Sequence, residues 1–362
     1  MKLRLGSTLT LLCLLLGGPA LAEEGLRDKA KGLFAPIPQT APGAPGETTP
    51  EKIALGKMLF FDPRLSENQD LSCSLCHNPS LAGVSGQFLS SGRHGELGGR
   101  NVLTIFNAVF NGSQYWDGRA AGLKEQVEAS VMSSPAALLK TRGGPMAVPA
   151  ATTASAKQHV IERLKTIPGY VDAFKKAFPD AADPVNYDNV ARAIAQFEAT
   201  LITPDALFDR WLKGDDAALS PAQVQGLTLF IGKGCGGCHN GVNLGGSGYA
   251  RFGVAQSPSV ELLPPDDWGR AAVTKKVEDK YAFKVPNLRN VELTAPYFHS
   301  GATDDLKEAV AVMASTQLGV TLAPDEIASI EAFLKSLTGR PPQIVLPVLP
   351  PNPPRAQAHS AN

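Results

Sequence analysis

The 362 residues of this chain exceed what one ordinary core holds and fit two domains of roughly 100–200 residues each, so a single small module is excluded. Basic residues number 34 and acidic residues 34, and charged residues make up only 19% of the chain, so no global field draws it to nucleic acid or an anionic membrane. With 35 glycines and 29 prolines the composition is rich in loops, yet below the level that marks disorder.

Taken in chain order, residues 1–22 read as a secretory signal. Lys2 and Arg4 form its positive start, Leu9 to Leu16 its apolar run, and Ala20-Leu21-Ala22 a small-x-small cleavage site before Glu23. The apolar run is far shorter than the roughly 18–20 residues that a spanning helix needs. Export predicts a periplasmic protein. Cys13 falls inside the signal, and the other four cysteines remain in the mature chain. Lys31 to Pro50, with five prolines, reads as an extended arm ahead of the first helix.

Those four cysteines carry the chemistry. They occur as Cys73-Ser-Leu-Cys76-His77 and Cys235-Gly-Gly-Cys238-His239. In an exported protein four cysteines ordinarily mean two disulfides, but a histidine directly behind each C-x-x-C makes the covalent attachment pattern of c-type haem. Two thiols a short loop apart reach the two vinyl groups of one porphyrin, and the next imidazole lies under the iron as its ligand. Zinc would need four converging ligands instead.

The two sites are embedded in a weak repeat. Gly56-Lys57-Met58-Leu59-Phe60 precedes the first motif, Gly226-Leu227-Thr228-Leu229-Phe230 precedes the second, and Asn78 and Asn240 follow them. Val190, Ile194, Phe197 and Leu201 share one helical face, as do Ile327, Ile330, Leu334 and Leu337, the latter stopped by Gly339 and Pro341. Ser220-Pro221 reads as an N-cap with proline at the first helical position, and Gly232 closes that helix. Strand alternation is scarce. The fold class is therefore mainly α: two cytochrome c-like domains, each holding one covalently attached haem, with long loops. Residues 23–186 form the N-terminal haem domain and 187–340 the C-terminal one. Residues 341–362 form a proline-rich tail that packs back on the N-terminal domain.

The opposite face of each iron decides between chemistry and electron transfer. Met313, on a helix opened by Thr303 with Asp304 and Asp305 in its first turn, fits either plain core or an iron ligand. His94, in the glycine-rich Ser91-Gly92-Arg93-His94-Gly95, fits a solvated loop residue or a ligand of the first haem.

Over nearly all the mature chain the sequence resembles the bacterial dihaem cytochrome c peroxidase family, to which the methylamine-dehydrogenase maturation enzymes are related. Both haem motifs carry the likeness, with Leu59-Phe60-Phe61-Asp62-Pro63-Arg64-Leu65-Ser66, Gly99-Arg100-Asn101 and Trp116-Asp117-Gly118-Arg119-Ala120. Val285-Pro286-Asn287-Leu288-Arg289-Asn290-Val291 and Pro296-Tyr297-Phe298-His299-Ser300-Gly301 complete it. The resemblance implies a peroxidatic first haem with His77 and His94 as its axial pair in the oxidised state. It implies an electron-accepting second haem with His239 and Met313, and a thioether there raises the potential. It also makes Trp116 a relay between the haems, where the alternative is an ordinary buried indole. Asn101, with the carbonyls of Thr294 and Pro296, matches a calcium site between the domains. Reduction of the second haem would release His94 and open the first iron to hydrogen peroxide. The electron donor would be a small c-type cytochrome or cupredoxin, and the enzyme a homodimer.

One position departs from the family. A glutamate that moves a proton between the peroxide oxygens aligns with Ala136, and residues 129–161 contain no carboxylate. Glu128 and His159 are the nearest substitutes; without any, proton transfer loses a factor of about 10²–10⁴. Two other readings therefore stand beside a peroxidase: a dihaem electron carrier or redox sensor, and a maturation-type oxidase of a partner. Met313 disfavours the last, because the maturation enzymes place a tyrosine at that iron.

Overall fold

Helix starts coincide with the caps the sequence supplies. Thr49 Oγ1 accepts the Lys52 N–H ahead of Pro50, and Ser220 with Gln223 forms a full capping box ahead of Pro221. The structure, a computed structural model, describes residues 18–42, 48–66, 69–89, 97–131 and 150–353, with backbone alone for 18–22, 131 and 150–156. In chain order the helices are α1 (Gly18–Leu33), α2 (Pro50–Phe61), α3 (Cys73–Cys76), α4 (Leu123–Val131), α5 (Ala150–Lys165) and α6 (Pro168–Ala177). They continue with α7 (Tyr187–Ala199), α8 (Leu207–Leu212), α9 (Pro221–Gly232), α10 (Ala271–Thr274), α11 (Leu306–Leu318) and α12 (Pro324–Lys335). Two three-residue strands, β1 (Tyr249–Arg251) and β2 (Ala282–Lys284), pair antiparallel with Tyr249 opposite Lys284. The molecule is mainly helical, as the sequence predicts.

The sequence repeat is a packing device. Where α2 crosses α7, a Cβ on Gly56 would stand 1.8 Å from the Ala193 carbonyl oxygen. Where α9 crosses α12, a Cβ on Gly226 would stand 1.8 Å from the Ser329 oxygen. Only glycine permits either approach. One turn further along each pair, Phe60 meets Phe197 and Phe230 meets Phe333, both with ring centroids 5.2 Å apart.

Each crossed pair centres one hydrophobic core. The first core gathers Leu55, Leu59, Phe60, Tyr170, Phe174, Ile194 and Phe197; the second gathers Phe208, Trp211, Leu227, Phe230, Ile330 and Phe333. A chain division at 186/187 cuts the first core, because α7 is the second member of its crossed pair and Leu201 still packs there. The helix α1 also crosses over: Ala30 and Phe34 pack in the second core, with Phe34 5.6 Å from Phe208. So the stretch expected as an extended arm is helical as far as Leu33. Beyond α12 the tail runs along the first unit. Ile344 packs on its core, Asn352 accepts from Arg64, and a Cβ on Gly169 would lie 2.8 Å from Pro350. Among the described residues no helix is long and apolar enough to cross a membrane.

Candidate haem sites and the seam between them

Both C-x-x-C-H motifs fold into one tight turn. The His77 N–H donates to Cys73 O at 2.9 Å and the His239 N–H to Cys235 O at 3.0 Å. Each ring is then held from behind: His77 Nδ1 lies 3.3 Å from Gly83 O, and His239 Nδ1 lies 3.3 Å from Leu244 O. A carbonyl acceptor at Nδ1 fixes the tautomer and leaves the Nε2 lone pair for a metal. Burial holds both imidazoles below the ordinary histidine range, which keeps each in the neutral form that a metal requires. The left-handed residues that bend the chain around each ring are Ala82 and Gly83 in one site, Leu244 and Gly245 in the other. None of these four cysteines forms a disulfide, and burial pushes the Cys73, Cys76 and Cys235 thiols up. The donor set therefore fits two haems, one per core.

A third cluster sits between them. Trp116, Phe252 and Phe283 pack together, with half-buried Met313 and Phe298 against them. The Trp116 indole N–H donates to Asn101 O at 3.0 Å, and the Asn101 N–H donates to His299 O at 2.8 Å. His299 is stacked on Phe283 at 4.0 Å and lies 6.1 Å from Trp116. Met313 thus lies on α11 in the same cluster as Trp116; that helix begins at Leu306, capped by Asp305 rather than Thr303. Asn101 Nδ2 donates to the carbonyls of Gln87 and Phe88, which leaves its Oδ1 as a neutral oxygen donor. Thr294 and Pro296 lie just ahead of His299, with Thr294 Oγ1 donating to Val291 O at 3.2 Å.

Spacing along the chain concealed the charged ties across this seam. Arg100 forks onto Asp267 at 2.8 and 2.5 Å and reaches Asp117 at 2.7 Å; Asp117 also accepts from Arg119. Burial works to raise the Asp267 carboxyl, but hydrogen bonds from Arg100 overcome it and hold it below the usual range. Gly118, at φ +67°, would carry a Cβ 1.8 Å from the Tyr249 hydroxyl, so the Trp-Asp-Gly-Arg motif is a joint against β1. Arg289 does the same work elsewhere, pairing with buried Asp209 and donating to Val242 O and Ala35 O.

His94 and Ala136 lie outside the described residues. Neither substitute for the absent glutamate is buried. Glu128 is ion-paired with Lys124 at 3.1 Å on the surface of α4, and His159 is exposed on α5. The buried carboxyl on this side is one the sequence reading missed. Glu198, on α7, is 2% exposed, and its Oε2 has no hydrogen-bond partner among the described residues. Burial pushes its pKa up to about 8, and its charge in turn raises the Cys73 thiol, which is itself raised first by burial.

Two backed imidazoles, one beside each glycine-crossed core, define a two-haem protein. A family model for di-haem cytochrome c peroxidase matches residues 50–217. The cytochrome c551 peroxidase of Pseudomonas aeruginosa is 47% identical over 333 residues, 92% of each chain. That of Nitrosomonas europaea is 43% identical over 298 residues, covering 82% of this chain and 83% of the relative. A solved MauG-like protein associated with microbial copper homeostasis is similar at a TM-score of 0.70 and 26% identity, covering 84% of this chain and 93% of that one. The chain belongs to the di-haem cytochrome c peroxidase family.

Proposed function

We infer that this protein reduces hydrogen peroxide to water at its first haem, with electrons received through the second. What carries this reading is the pair of like imidazole cradles joined by the Trp116 cluster, in a chain 47% identical to a cytochrome c551 peroxidase. When bound, the two haems supply the redox chemistry in which one peroxide takes two electrons and two protons to give two waters. The protein's part is positional. Cys73, Cys76, Cys235 and Cys238 tether the porphyrins through thioethers, and His77 and His239 present Nε2 to the irons. Met313, packed on the Trp116 cluster, would supply a thioether to hold the second haem. His94 would supply a displaceable imidazole to the first. Neutral oxygens of Asn101, Thr294 and Pro296 suit a calcium ion, which would brace the Asn101–His299 link beneath Trp116.

The donor in this reading is a small c-type cytochrome or cupredoxin. The signal read over residues 1–22 supports a periplasmic enzyme, and the family likeness supports a homodimer. One observation favours a second reading, an electron carrier or sensor: Glu128 is held in an ion pair with Lys124 and His159 is exposed. Steady-state oxidation of a reduced small cytochrome c by peroxide, with calcium-loaded holoprotein fully oxidised or half-reduced, separates the two. The peroxidase turns over and is faster after half-reduction; a carrier turns over in neither state.

A further inference from the structure

Lys284 is the least explained charge in the molecule. It ends β2 with 1% of its surface exposed, and its Nζ has no hydrogen-bond or ion-pair partner among the described residues. Every other fully buried cation here has its counter-charge: Arg100 has Asp117 and Asp267, and Arg289 has Asp209. A second orphan stands three residues on, where the Asn287 Nδ2 donor is also buried without an acceptor. Leaving two such donors dry and unpaired is costly enough that proteins rarely do it without a ligand.

The surroundings say which ligand. The Lys284 N–H donates to Trp116 O at 2.7 Å, which fixes this segment at the seam between the cores. The next residues lie against the second haem motif. Pro286 O is a hydrogen-bond partner of the His239 ring, and a Cβ on Gly245 would stand 2.2 Å from that same oxygen. Each haem brings two carboxylates of its own, and these are anions the chain does not have to encode. We propose that Lys284 and Asn287 form a buried anion subsite that seats a carboxylate of the second haem, with Lys284 Nζ as its counter-charge.

A fixed positive charge on that carboxylate favours the reduced iron, so the subsite also sets the second haem's potential. The inference rests on the two-haem assignment and not on peroxide turnover. Its test is a potentiometric titration of both haems in the holoprotein, comparing the native chain with Lys284→Met and Lys284→Arg. Lys284→Met should disfavour reduction of the second haem at least tenfold, a fall of about 59 mV for a one-electron couple. Lys284→Arg should keep most of the native value. If the first haem's potential falls instead, the carboxylate belongs to that haem and the second-haem assignment is overturned. Unchanged potentials at both haems in a fully loaded Lys284→Met protein would overturn the subsite itself. Should that variant load haem poorly, Lys284→Gln, which keeps a donor without the charge, carries the same prediction and the same refutation.

Discussion

The two halves use the same frame and differ in the charge they bury inside it. Gly56 with Phe60, Ala193 and Phe197 in the first core match Gly226 with Phe230, Ser329 and Phe333 in the second. Carried one residue further, the match sets Glu198 against Leu334, both buried. The second core closes on hydrocarbon there. The first holds a carboxyl whose pKa burial pushes up to about 8, beside the cysteine of the haem proposed to meet peroxide. A shared scaffold thus fixes both imidazoles, and the departure from symmetry falls beside the haem site proposed to reduce peroxide.

The largest expected effect comes from cutting the tie between the halves. Arg100→Met leaves Asp267 buried without its guanidinium and Asp117 with Arg119 alone, which should cost about 3–5 kcal/mol. Chemical denaturation should show it, with the single transition splitting if the halves hold together mainly through this fork. Next come the crossings. Gly56→Ala and Gly226→Ala should each destabilise by about 1–3 kcal/mol, since each Cβ meets a backbone oxygen that cannot step aside. The comparison breaks if one is tolerated and the other is not.

Glu198→Leu makes the first core imitate the second. The Glu198 carboxyl titrates at about 8 when folded against an ordinary value of 4.5, so the folded state binds more protons between these limits. Its contribution to stability is therefore complete below about pH 4.5 and is lost as pH rises towards about 8, by at most about 1.4 kcal/mol per unit. Unfolding curves across that range should flatten in Glu198→Leu. The smallest effect separates the helix starts. Ser220→Ala should cost about 1 kcal/mol, and Thr49→Ala less, because Thr49 makes a single capping bond where Ser220 and Gln223 reciprocate. Thermal melts of the two variants check the order.

Local pattern explains what was legible from sequence. The C-x-x-C-H spacing, the Ser220 cap and the helical faces of Val190 to Leu201 and Ile327 to Leu337 depend on neighbours a few residues away. The repeat around Gly56 and Gly226 was visible as well, although its reason, two helices touching through glycine, needs the partner helix more than 100 residues later. Long-range pairing hid the rest. Arg100 finds Asp267 at a separation of 167 residues, and no periodicity points there. Glu198 sits in a run that reads as ordinary helix and Lys284 in a stretch with no pattern of its own, and only their buried, unsatisfied polar atoms mark them. The first core spans the 186/187 division for the same reason, since a crossed pair takes its second helix from beyond an intervening loop.

The most direct test of the central claim is a single-turnover experiment on half-reduced holoprotein mixed with hydrogen peroxide, following the optical bands of each haem separately. The account predicts a rapid change at the first haem, and, with reduced cytochrome c then supplied, two molecules oxidised per peroxide consumed. With both haems loaded and the second reduced, a first haem whose spectrum does not respond to peroxide would contradict it.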